Sequence, residues 1–188
     1  YNVDVHINEE YLYVDNKTVF IMEDYKYDLP TVTNNKNRPV IIGNGPAGML
    51  AGLILAEANL KPIIIEQGSD VDNRIKDIEK FWSGGKLNTS SNVQFGAGGA
   101  GTFSDGKLYT RSKKRGNVKR ILDIFIHHGA DPIIGVDAHP HIGSDKLPGI
   151  IQNMRKTILD SGGSIEFNTR VNEFVISDNK VQGVKTVK

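Results

Sequence analysis

The 188 residues contain no cysteine. Within them, that absence excludes a disulfide framework, a zinc-thiolate centre and a redox-active dithiol, so any redox chemistry must belong to a cofactor. Charge of one sign is also missing. The 23 lysines and arginines stand against 22 acidic residues, a formal net charge of +1, and no global field favours nucleic acid or an acidic membrane surface. Long hydrophobic runs are lacking too: stretches such as Met49 to Ala58 fall far short of the roughly 20 residues that cross a bilayer. No signal-peptide pattern opens the chain, so a cytoplasmic protein without membrane or nucleic-acid partners is expected. The chain starts at Tyr1 without a methionine and stops at Val187-Lys188 inside a predicted strand; a piece of a longer polypeptide is therefore expected. Its length suffices for one sizeable α/β core with at most a small appendage.

What is present divides into three stretches. Val3, Val5 and Ile7 alternate with polar residues, and β-rich runs follow at Tyr11 to Val14 and Thr18 to Met22, which predicts a small β-rich segment over 1–33. Asn34 to Asn37 is polar and rich in breakers and reads as a linker. From Arg38 the character is α/β. Val40-Ile41-Ile42 is a continuous apolar run, expected to be a strand buried on both faces. Pro46 to Ala58 has helical composition with proline in the first turn, and Ile63-Ile64-Ile65 is a second buried strand. Further helices are predicted over Val71 to Phe81, Val118 to His128 and Lys146 to Leu159. The tail reads as strands at Ser164 to Asn168, Arg170 to Ser177 and Lys180 to Val187, the last two joined at Asp178-Asn179 as a tight hairpin.

Gly43-Asn44-Gly45-Pro46-Ala47-Gly48 is a G-x-G-x-x-G motif. Alone the pattern is weak, but here it follows a buried strand and opens a helix. In that setting Gly43 makes the turn, Gly45 lets the backbone approach a pyrophosphate and Gly48 permits close helix–sheet packing. Pro46 and Ala47 begin the helix whose unpaired N–H groups face the phosphates. Glu66, with Gln67 beside it, ends the second strand a little over twenty residues after Gly43, where a carboxylate accepts hydrogen bonds from a ribose diol and disfavours a 2′-phosphate. A dinucleotide site is the reading that joins these elements.

The fingerprint alone does not choose between FAD and NAD. Two features favour FAD: the glycine-dense loop Phe95 to Thr102, able to pass close to an extended cofactor, and the strand Ile165-Glu166-Phe167-Asn168-Thr169-Arg170-Val171 followed by a hairpin. This combination resembles the glutathione-reductase-type flavoprotein superfamily, in which such a strand lies beside the adenine and the next strands form a β-meander. More narrowly, Asn92 to Leu108, Phe81-Trp82 and Pro140 to Leu147 resemble the bacterial FAD-dependent dehydrogenases of the NAD(P)/FAD-dependent oxidoreductase family. Ala97 departs from that pattern, standing where relatives often carry an acid. The resemblance implies a Rossmann-type FAD-binding domain over 38–188, cut short at its C-terminus. It places Gly43, Gly45, Pro46, Ala47 and Gly48 at the pyrophosphate, Glu66 at the adenosine ribose, the Val171 backbone at adenine, and Gly98, Gly99, Gly101 and Thr102 near the flavin half. The implied activity is hydride transfer through FAD with a small-molecule substrate, NAD(P)H being a transient electron donor. An NAD-dependent dehydrogenase and a non-catalytic dinucleotide-sensing module are the alternatives.

Other constellations carry less. Arg74, about one turn into a helix beyond Glu66, is placed either at the cofactor phosphates or ribose or as a solvated helix residue. The basic residues Lys107, Arg111, Lys113, Lys114, Arg115, Lys119 and Arg120 lack interleaved aromatics apart from Tyr109 and read as a solvated loop. His127 and His128 fall in the last turn of a helix, where the dipole favours a cation. His139 and His141 precede Asp145, which can orient an imidazole for acid–base work, but their i, i+2 spacing argues against joint metal binding. Trp82 is expected in the core. No residue is singled out as catalytic and no metal site is expected.

Overall fold

The computed structural model describes residues 37–103, 106–108, 116–137 and 139–188, with Val5, Leu29 and Val32 as isolated positions. The expected β-rich segment over 1–33 and residues 34–36 of the linker therefore lie almost wholly outside the described residues.

Three short strands, the first two made wholly of branched aliphatic residues, build a parallel sheet: β1 (Val40–Ile42), β2 (Ile63–Ile65) and β3 (Ser164–Glu166), in the order β1-β2-β3. Val40 pairs with Ile63 and Ile64 with Ile165. Arg38 ties the start of the sheet together, donating from Nε to the Lys61 carbonyl at 2.6 Å and from Nη2 to Ser164 Oγ at 2.8 Å. β1 does not meet the expectation of burial on both faces. Val40 and Ile42 project to one face of the strand and remain 45% and 50% exposed, while Ile41 projects to the other and packs against the core.

Between β1 and β2 runs α1 (Pro46–Glu57), with proline in its first turn. It buries Met49, Gly52, Leu53 and Ala56, the i, i+3, i+4, i+7 spacing of a core-facing stripe. A Cβ at Gly52 would overlap Ile64 Cδ1, so glycine there sets how closely α1 approaches β2. α2 (Val71–Trp82) is capped by Asp70, whose side chain accepts from Asn73 N at 3.0 Å, and α3 (Val118–His127) by Asn117, which accepts from Arg120 N at 3.0 Å. α4 (Leu147–Asp160) buries Leu147, Ile150, Ile151, Met154 and Ile158 and packs against α1, α2 and β3. Each helix agrees with its sequence expectation to within one residue at either end. Trp82 does not: as the last residue of α2 it is 66% exposed, since the helix overruns the core at that end.

β4 (Arg170–Ser177) and β5 (Lys180–Val187) form an antiparallel pair joined at Asp178 and Asn179, with φ of 51° and 57°. Positive φ at both central residues is the hairpin geometry that suits strand twist. The two strands expected to open a β-meander thus make a two-stranded sheet, without a third partner among the described residues.

Candidate dinucleotide-binding site

The turn from β1 into α1 has the geometry its glycines allow. Gly43 adopts φ +93°, a conformation that side chains with a Cβ resist, and its N–H donates to the Ile65 carbonyl at 2.7 Å. A Cβ at Gly48 would overlap the Gly43 carbonyl oxygen, so this glycine is a packing requirement. Gly45 differs. It is the N-cap of α1 with ordinary extended backbone, and a Cβ there would meet nothing within 4 Å. No side chain caps the helix and none of its first-turn residues is acidic, which leaves the N-terminal N–H groups for an anion.

Glu66 is buried at the end of β2 and held by the same turn. Its Oε2 accepts from Asn44 N at 2.7 Å and its Oε1 from Gly68 N at 2.8 Å. The carboxylate is therefore oriented by two backbone donors, and each oxygen retains a further lone pair for a diol. The start of β4 is anchored alongside, through Thr169 N to the Glu66 carbonyl at 2.9 Å and Asn168 N to the Gly68 carbonyl at 3.0 Å.

These elements enclose a cleft of about 290 Å³. Of the sequence-predicted residues, Gly43, Gly45, Glu66, Gln67, Gly99 and Val171 line it. Gln94, Phe95 and Arg170 also line it; the sequence singled out none of them, although Gln94 and Phe95 sit inside the distinctive loop. A second cavity of about 290 Å³, apolar and bordered by α1, α3 and α4, takes Pro46, Gly98, Gly101 and Thr102 into its wall. The glycine-rich loop thus serves two neighbouring spaces rather than one.

Arg74 is not the solvated helix residue that was one of its two expectations. It is fully buried, and its guanidinium turns inward onto the loop: Nε donates to the Asn92 carbonyl at 2.8 Å, Nη2 to Val93 at 2.9 Å, and Nη1 to Ala97 at 2.6 Å and more distantly to Gly96 at 3.5 Å. Burial pushes its pKa down to about 10, against the pull of Glu66, so it is a cation at neutral pH. The Phe103 ring lies 4.7 Å from the guanidinium carbon.

Among the described residues, His127 and His128 stand edge to face with ring centroids 5.2 Å apart. His128 is buried between α3 and α4, with Nδ1 2.7 Å from the Ile124 carbonyl and Nε2 3.1 Å from Thr157 Oγ1. His141 is exposed and bridges to Lys107 through the backbone, while the Asp145 carboxylate lies against Gly143. Among the described residues no group of three or more His, Asp or Glu side chains can hold a metal. Of the basic cluster, Lys119 pairs with Asp123 at 3.8 Å and Arg120 with Glu57 at 3.5 Å; Arg111, Lys113, Lys114 and Arg115 lie outside the described residues.

Two buried polar side chains at the site have no partner among the described residues: the Asn44 amide and the Thr102 hydroxyl. Replacing Thr102 with Val removes an unmet polar group in nearly the same shape. By urea unfolding, the apoprotein is expected to be as stable as wild type or up to about 1 kcal/mol more stable. A loss of that size would instead show that the hydroxyl has a partner.

A strand end, a glycine turn, an uncapped helix and a buried acid around one cleft define a dinucleotide-binding protein of the α/β class. Comparison with known families makes the class specific: residues 38–131, half of the chain, match the FAD binding domain family, and the chain belongs to it. At the level of the family this is an FAD-binding domain. An uncharacterized protein of Clostridium beijerinckii (strain ATCC 51743 / NCIMB 8052) is 46% identical over 149 residues, covering 79% of this chain. The chain spans 28% of that relative's length. Among the described residues no helix is long and apolar enough to cross a membrane.

Proposed function

We propose that this chain supplies the Rossmann-type FAD-binding part of a cytoplasmic dehydrogenase that passes hydride from a small-molecule substrate, or from a reduced nicotinamide, through the flavin. The observation that carries the reading is the pairing of Glu66 with the α1 turn: one buried carboxylate, fixed by Asn44 N and Gly68 N, faces a cleft that also contains the uncapped helix start. Ribose and pyrophosphate are the two polar parts of an ADP moiety, and a carboxylate and an uncapped helix start are the groups that receive them.

In this arrangement Gly45 gives the pyrophosphate room, the α1 N–H groups neutralise it, Glu66 receives the ribose hydroxyls, and Val171 at the start of β4 lies beside the adenine. Gly98, Gly101 and Thr102, in the adjoining apolar cavity, serve the flavin half. FAD supplies the hydride-accepting chemistry; the protein supplies binding, orientation and exclusion of water. The full-length protein is expected to purify yellow and to release FAD, not FMN, on denaturation. Colourless protein that binds NAD and gains no FAD on reconstitution would establish the alternative, since the Glu66 site suits the adenosine ribose of either dinucleotide.

A further inference from the structure

We infer that Arg74 is a positioning residue: it builds the loop wall of the dinucleotide cleft before any cofactor arrives and touches no cofactor atom. The inference rests on the FAD-binding reading for what the cleft holds, but its central claim concerns the protein alone.

Burying a guanidinium is costly unless its donors are met. Here the acceptors are main-chain carbonyls of one loop, drawn from both of its arms: Asn92 and Val93 on one side, Ala97 and, at longer range, Gly96 on the other. The planar fork donates in several directions from one rigid group, which a lysine ammonium on a flexible stem cannot reproduce. Loop and arginine are mutually fitted, because Gly96 has φ +121° and a Cβ there would come within 2.6 Å of Arg74 Cδ. Phe103, on the guanidinium face, ties down the far end of the glycine run.

What the clamp holds is functional surface. The same loop sends Gln94, Phe95, Gly96 and Gly99 into the cleft. It is stitched to the fingerprint by Gly98 N donating to the Asn44 carbonyl at 2.8 Å, and to the segment after Glu66 by Ala97 N donating to the Ser69 carbonyl at 3.1 Å. Nε, Nη1 and Nη2 all donate to the loop, so turning the guanidinium into the cleft would break the bonds that hold it there.

The test is amide hydrogen exchange of full-length apoprotein, read by mass spectrometry, for wild type, Arg74→Lys and Arg74→Met, with FAD and ADP affinities measured on the same samples. Exchange over 92–99 is expected to rise about tenfold or more in Arg74→Met and by an intermediate factor in Arg74→Lys, while the α1 and α4 amides stay as in wild type. FAD and ADP are both expected to bind about tenfold more weakly to Arg74→Met. Unchanged loop exchange overturns the proposal, and unchanged exchange with weakened binding would mean that Arg74 contacts the cofactor. Should Arg74→Met fail to fold, Arg74→Lys decides: wild-type exchange and affinity in that variant would show that the fork geometry is irrelevant. If wild-type protein bound no FAD, the cofactor reading would fail while the exchange result still stood.

Discussion

Replacing Gly45 with Val is expected to abolish most FAD binding while leaving the fold intact. Gly45 has extended backbone that any residue adopts, and a Cβ there meets nothing within 4 Å, so the apoprotein has no steric reason to unfold. The open space is where a pyrophosphate must come to the α1 N–H groups, and a branched side chain fills it. A loss of about 100-fold in affinity, or about 2.7 kcal/mol, is expected by titration calorimetry, with the far-UV circular dichroism unchanged. Gly48→Val makes the contrast: its Cβ would overlap the Gly43 carbonyl oxygen, so that variant should lose the fold and cofactor together. Wild-type FAD affinity in Gly45→Val would place the phosphates elsewhere.

Glu66→Ala should destabilise the fold strongly, even without cofactor. The buried carboxylate accepts from Asn44 N and Gly68 N, and truncation strands both donors at once. Two lost charge-assisted hydrogen bonds put the cost at about 3 to 5 kcal/mol of folding free energy, measured by urea unfolding of the apoprotein. FAD binding should fall further, through the missing ribose acceptor. Glu66→Gln keeps one acceptor but turns an NH₂ toward the other backbone donor, so it should fall between wild type and Ala. A cost below about 1 kcal/mol for Glu66→Ala would mean that the turn finds other acceptors.

The amino-acid sequence by itself determined the parts of this protein whose physics is local. A branched aliphatic run, a glycine turn with proline at the helix start, a second run and an acid lie within thirty residues. Their order dictates β1, α1, β2 and the turn at their junction; the loop at 94–99 and the start of β4 complete the cleft. Helix limits came from capping side chains such as Asp70 and Asn117, and the hairpin from Asp178-Asn179. Only the tertiary structure decided the exposure of β1, because burial of an apolar strand depends on what packs on each of its faces. It also decided that the glycine-rich loop serves two spaces and that Trp82 overruns the core. Arg74 is the clearest case. Its acceptors lie 18 to 23 residues away, they are carbonyls that every residue carries, and no side-chain pattern announces them. A lone arginine on an amphipathic helix reads as solvated until the path of the loop is known, because the charge is stable in the interior where the backbone folds back to meet Nε, Nη1 and Nη2.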